Sequence, residues 1–133
     1  MCWVGFNPGT GDTDAGPRPT LRRVVSWARR AGCGGLVVVN LFSYRSTDPD
    51  SLMSADTDIV GEVTDDTIRV ASRSAKVTLA AWGGHKVIRT RSNEVVPLLD
   101  NPMCAGVTKS GEPRHPLYVP AATALLPYRP RRT

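Results

Sequence analysis

Apolar residues gather in short runs separated by polar stretches rich in glycine and proline. The opening run, Cys2-Trp3-Val4-Gly5-Phe6, breaks abruptly into Asn7-Pro8-Gly9 and then a polar glycine loop, the pattern of a buried parallel strand that delivers a polar side chain to a pocket. Leu36-Val37-Val38-Val39 ends in Asn40; it is too short for a helix and too apolar for a half-exposed strand, which predicts a central parallel strand. A third strand is expected over Val77 to Trp82, ending at Gly83-Gly84, and a short fourth over Met103 to Val107. Between them the spacing turns helical. Pro19 and Thr20 open a helix in which Leu21, Val24, Val25 and Ala28 form a buried stripe, Arg22, Arg23, Arg29 and Arg30 fall on or beside the opposite face, and Gly32 ends the run. After Asp58 a helical pattern runs through Val60, Val63, Thr67, Val70, Ala71 and Ser74. A last helix, His85 to Leu99, turns Val87, Ile88, Val95, Val96 and Leu99 inward and Lys86, Arg89 and Arg91 outward.

This β-α-β-α-β-α-β order predicts a single α/β domain over residues 1–126, a three-layer α/β/α arrangement around a mostly parallel four-stranded sheet with right-handed crossovers. Pro127 to Thr133 carries arginines and prolines without apolar periodicity and reads as a basic, frayed tail. A length of 133 residues allows one core and is too small for two. No apolar run approaches the roughly 18 residues that span a bilayer, and the first strand lacks the charged lead-in of a secretory signal, so a cytoplasmic protein without membrane contact is expected. Cys2, Cys33 and Cys104 are scattered and in no metal-ligand spacing; free thiols, no metal, no cofactor and a monomer are expected. The formal charge of +5 and pI near 9.6 favour an anionic partner, DNA or another nucleic acid first and free nucleotides next.

Ligands of open parallel sheets sit beyond the carboxyl ends of the strands. Asn7, Asn40, Trp82-Gly83 and the loop from Lys109 that delivers His115-Pro116-Leu117-Tyr118 are therefore expected to share one crevice. Pro8 holds Asn7 extended and withholds a donor, and Gly9 and Gly11 let a ligand approach the main chain, although Asn-Pro-Gly is also ordinary turn chemistry.

The order of these pieces resembles the uracil-DNA glycosylase superfamily. Gly5-Phe6-Asn7-Pro8-Gly9 looks like the first motif of its mismatch-specific branch, Val37-Val38-Val39-Asn40-Leu41 like its base-reading strand, Ala80-Ala81-Trp82-Gly83-Gly84 like its apolar strand ending in Trp-Gly, and Arg114-His115-Pro116-Leu117-Tyr118 like the histidine-proline loop that closes the site. Nearly the whole chain is also similar to a family of small bacterial and phage proteins of unknown function. Three positions depart from the classical enzymes: Leu117-Tyr118 stands where they carry Ser-Pro, and Asn7 where they carry aspartate.

The resemblance implies a uracil-DNA-glycosylase-like fold and a DNA glycosylase that flips a uracil-like or modified pyrimidine and hydrolyses its N-glycosidic bond, leaving an abasic site. Glucosylated hydroxymethylcytosine of phage DNA is one such base, with antiviral defence the implied role. Asn7 would orient the water and His115 would donate to the departing base or a nearby phosphate. Asn40 carries both donor and acceptor for a base edge, and Phe6, Phe42 or Tyr44 would stack on the base or else fill the core. Gly83 would admit the ligand beside a packing Trp82, and Arg18, Arg45 and Arg114 would hold backbone phosphates. His85 reads as a solvated or capping residue, Asp12 and Asp14 as loop acids or a base that Asn7 cannot be, and Tyr118 as pocket wall or core. An enzyme on free modified nucleotides and a non-catalytic DNA-binding module fit the same residues.

Overall fold

Side chains along the strands alternate between two apolar layers, as the two-residue period of extended chain requires. Cys2, Val4, Ala80 and Trp82 share one cluster with Ile68, Ile88 and Val95; Met1, Leu79 and Ala81 share another with Val24, Trp27 and Ala28. In the computed structural model, which describes residues 1–6, 19–43, 50–55 and 58–130, these layers flank a sheet of β1 (Cys2–Gly5), β2 (Val37–Asn40), β3 (Thr78–Ala80), β4 (Met103–Cys104) and β5 (Leu126–Pro127). Helix α1 (Pro19–Arg30) covers one face. The short α2 (Ser51–Ser54), α3 (Thr64–Ser74) and α4 (Arg89–Val95), the last flanked by 3₁₀ turns at Lys86–Ile88 and Val96–Leu98, supply the other.

The sheet order is β2-β1-β3-β4-β5. β1 is an inner strand next to the edge, parallel to both neighbours, with Gly5 opposite Asn40 and Val4 opposite Ala80, so the ends of β1, β2 and β3 come out on one edge. β4 continues the parallel set and β5 returns antiparallel. The sheet thus has five strands among the described residues, not the expected four. Residues 127 and 128 correct the expectation of a tail frayed from Pro127: Tyr128 is buried, its N–H donates to the Pro102 carbonyl at 2.8 Å and its hydroxyl to the Gly111 carbonyl at 3.1 Å. One aromatic residue with both polar groups partnered anchors a stretch that composition marks as disordered.

Three further expectations are corrected. β2 is an edge strand, with Val37 and Val38 56% and 46% exposed, because a run of β-branched residues favours extended chain without specifying how many neighbours it has. The buried phase of α3 is set by Ile68 and Ser72, while Val63 and Val70 are exposed. Ser72 is tolerated inside because its hydroxyl bonds Thr78 Oγ1 at 2.7 Å and accepts from the Asp100 N–H at 2.8 Å. Arg91, expected on the outside of α4, is 3% exposed: its Nε donates to the Leu41 carbonyl at 2.8 Å and its Nη2 to Asp65 Oδ1 at 2.6 Å. It ties the chain leaving β2 to α3 and α4. Among the described residues no helix is long and apolar enough to cross a membrane.

Candidate functional site

The register that sets Gly5 beside Asn40 also decides what can lie over the end of β1. A Cβ on Gly5 would come within 2.8 Å of Asn40 Oδ1, so the glycine leaves the room in which the Asn40 amide rests. Phe6 follows, half-buried, with its ring centroid 5.7 Å from Phe42 and 5.6 Å from His85. Phe42 is itself in the core, which favours the packing reading for it over an open stacking platform. Asn40 and Phe42 also line a groove of about 230 Å³ between β2 and α3, with Val63 and Thr67 among its other walls. His85 accepts the Val87 N–H on Nδ1 at 3.2 Å, the capping role expected of it, which leaves Nε2–H to donate to Asp50 Oδ1 at 2.9 Å.

The end of β3 meets the histidine-proline loop. Gly83 adopts φ +80, a conformation that a side chain resists, and its N–H donates to the Pro113 carbonyl at 2.8 Å. A Cβ at Gly83 would lie 3.3 Å from that of His115. The space next to Gly83 is therefore taken by His115, not left open for a ligand as expected: the glycine docks the loop. His115 in turn accepts the Leu117 N–H on Nδ1 at 3.1 Å, capping a 3₁₀ turn at Pro116–Tyr118, and its ring meets Tyr118 edge-on at 6.2 Å. Burial lowers the His115 pKa, so the ring is neutral near pH 7, and the acceptor at Nδ1 places the remaining proton on Nε2. Among the described residues Nε2 has no hydrogen-bond partner.

Two side chains that the apolar pattern does not single out hold this loop. Arg23 reaches across from α1 and donates through Nη1 to the Pro116 carbonyl at 2.6 Å and to that of Leu117 at 3.4 Å. Glu112 accepts from Trp82 Nε1 at 2.6 Å and from Ser92 Oγ at 2.8 Å, joining β3, α4 and the loop. A fully buried tryptophan, here packed edge-on against Tyr128 at 5.9 Å, needs an acceptor for its indole N–H. That requirement was the only sequence signal for Glu112.

The other expected positions divide clearly. Arg114 donates through Nη2 to the Tyr118 carbonyl at 2.8 Å and so braces its own loop. Tyr118 is 71% exposed, which rules out the core and leaves it on the outer wall beside His115. Asn7, Gly9, Asp12, Asp14, Arg18, Tyr44 and Arg45 lie outside the described residues. The structure thus brings His115 to Gly83 and Asn40 to the end of β1 on the same sheet edge, with Phe6 and the His85–Asp50 pair beside them. Among the described residues no three His, Cys, Asp or Glu side chains are grouped to hold a metal. Cys2 and Cys104 are buried free thiols; burial pushes that of Cys2 up to about 11, against a smaller lowering by the terminal amine.

A family profile described as "Protein of unknown function (DUF1643)" matches residues 1–117, a span that takes in the ends of β1, β2 and β3 and stops within the histidine-proline turn. No curated protein and no solved structure matches the chain.

Proposed function

The chain belongs to the DUF1643 family, and from that footing we propose that it is a DNA glycosylase, hydrolysing the bond between a flipped uracil-like or modified pyrimidine and deoxyribose. The observation that carries the reading is the state of His115: a neutral imidazole with Nδ1 committed to the Leu117 N–H, its Nε2–H without a partner among the described residues, on a loop docked to the end of β3. Cleaving an N-glycosidic bond leaves the sugar with oxocarbenium character and the base departing as an anion. A fixed neutral N–H donor stabilises that anion in the transition state more than the uncharged base of the ground state. Fixing the donor in advance avoids reorganisation at the moment of reaction, and Arg23, Glu112 and Arg114 supply the fixing by gripping the backbone or flank of the His115 loop.

The remaining roles follow from position. Asn40, at the end of β2, presents an amide with both donor and acceptor to a base edge. Phe6, half-buried at the end of β1, offers an aromatic face beside it. Asn7, next along the chain, orients the attacking water through its side-chain carbonyl; an amide cannot take a proton at neutral pH, so the step relies on positioning. A site with these parts bears on the biological setting as well: a modified phage base as substrate would make the protein a defence enzyme.

Purified protein incubated with duplex and single-stranded DNA carrying uracil, hydroxymethylcytosine or glucosylated hydroxymethylcytosine tests the reading. Alkali-labile strand scission with one of these, lost in Asn7→Ala, is the expected result. Release of base only from free nucleotides would move the activity off DNA, and no release from any of them by a folded protein would overturn it.

A further inference from the structure

The two edges of the sheet are finished differently. β5 closes one edge with Pro127, which has no N–H, and Arg129 follows it. β2 forms the other edge, and from Ala31 to Ser43 the chain holds neither a charged residue nor a proline, the usual guards of an open strand. Val37 and Leu41 donate their N–H groups to the Met1 and Gly5 carbonyls at 2.9 and 3.0 Å. The alternation of extended chain therefore turns the N–H and C=O of Val38 and Asn40 outward, and among the described residues no strand takes them up. Beside this edge, Val63 and the α3 residues Thr67, Val70 and Ser74 form an exposed stripe along one side of the helix. Its hydroxyls are satisfied within the helix, Thr67 donating to the Val63 carbonyl at 2.9 Å and Ser74 to that of Val70 at 2.8 Å. Val63 and Thr67 line the groove of about 230 Å³ together with consecutive Val38, Val39 and Asn40, so stripe and strand edge are continuous, and no charged side chain stands in its walls. The charges that flank the stripe run from Asp66 in the first turn of α3, 76% exposed, to exposed Arg73 in the last.

We propose that β2 and α3 are the interface of a homodimer, in which β2 of one copy pairs antiparallel with β2 of a second about a two-fold axis and the two sheets become continuous. This replaces the monomer expected from the sequence. An axis at Val38 sets its outward N–H and C=O against those of the same residue in the second copy, and the Asn40 backbone against that of Leu36. The same axis runs the two α3 helices antiparallel on one face of the joined sheet. Asp66 of each copy then lies toward Arg73 of the other, and the two uncharged stripes meet. A surface whose backbone pattern and charges both match themselves after a half-turn fits a second copy of this chain, and closing the pair leaves none of that edge open to further strands. Only the backbone of Asn40 is engaged, so the inference stands apart from the reading of its amide.

The test is sedimentation velocity of the full chain from about 1 µM to about 1 mM, with amide hydrogen exchange read at Val38 and Asn40. A concentration-dependent dimer in which both amides exchange more slowly is expected. Val38→Arg, at an exposed position, sets two like charges face to face across the axis and should weaken the dimer roughly a hundredfold or more, whereas Leu126→Arg on the exposed β5 edge should leave it unchanged. Asp66→Arg and Arg73→Asp should each weaken it, and the two together should restore it; circular dichroism checks that every variant is folded. A wild type that stays monomeric throughout would overturn the proposal and give the edge to a strand of a different chain. A dimer lost in Leu126→Arg but kept in Val38→Arg, unchanged exchange at Val38, or no recovery in the charge swap would overturn it equally. No DNA enters the measurement, so the dimer and the glycosylase stand or fall separately.

Discussion

Glu112→Gln exchanges one oxygen for an amide group with almost no change of shape, which makes it a sharp probe of the loop that carries His115. In the wild type, both carboxylate oxygens accept: one from the fully buried Trp82 indole at 2.6 Å, the other from Ser92 at 2.8 Å. A glutamine keeps one acceptor for the Trp82 indole and turns an NH₂ toward Ser92, whose hydroxyl must then reverse and accept from it. Hydrogen bonds to charged groups contribute about 1.5–3 kcal/mol and neutral ones about 0.5–1.5 kcal/mol. Exchanging two charged bonds for two neutral ones costs about 1–3 kcal/mol, or roughly 5 °C in Tm for a domain of this size. Functionally, the change loosens the segment between Trp82 and the Gly83–Pro113 bond, on which the placement of His115 depends. Thermal denaturation followed by circular dichroism and single-turnover base release at a temperature where the variant is folded would be measured together. A fall in Tm of this order with a rate reduced by about tenfold or more is expected, since small misplacements of a catalytic group are costly. A variant within about 2 °C of the wild-type Tm, releasing base at the wild-type rate, would refute the reasoning.

Arg91→Met is expected to destabilise by about 2–3 kcal/mol, chiefly through the lost charged bond to the Leu41 carbonyl, because Asp65 is nearly half exposed and is readily solvated; denaturant unfolding with an unchanged midpoint would contradict this. At pH 8 without denaturant, a thiol reagent should label Cys33, which is half-buried, and spare Cys2, whose pKa is pushed up to about 11, and Cys104, also raised by burial; labelling of all three at equal rates would be inconsistent with these environments. The depressed pKa of His115 gives a signed pH effect. Between the folded value and the unfolded value of about 6.5 the unfolded chain binds more protons, so the linked stability is fully present above about pH 6.5 and is lost as the pH falls through the folded pKa. Stability curves from pH 8 to pH 5 should therefore fall more steeply for the wild type than for His115→Asn, and parallel curves would argue against a buried neutral ring.

Most of the layer architecture was legible because it rests on short-range rules. The strand runs and the α1 stripe of Val24 and Ala28 report burial directly, and the four strand ends gather on one edge once the sheet is parallel. What was hidden depended on polar groups meeting across long separations. Ser72 is buried because Thr78 and Asp100 complete its hydrogen bonds, Arg91 because Leu41 and Asp65 do, and neither partner set is visible in a hydropathy pattern. Arg23 shows the same limit from the other side: its place on the helix surface was correctly read as polar, but the surface it occupies faces the backbone of the histidine-proline turn. At the site, the sequence placed His115 near Gly83 and misjudged what the glycine does, since a positive φ and a close approach to His115 look identical in sequence to an open pocket floor.

Single-turnover base release by wild type and His115→Ala, on DNA bearing the candidate pyrimidines and over pH 5.5 to 8.5, bears most directly on the neutral imidazole donor. A wild-type rate that holds level from neutral pH upward, with the variant folded, still bound to DNA and slower by about 10²–10³, is the predicted result. A wild-type rate that drops as the pH rises through 6 to 7 would make the active group an imidazolium acid, and equal rates for the two proteins would remove His115 from the chemistry altogether.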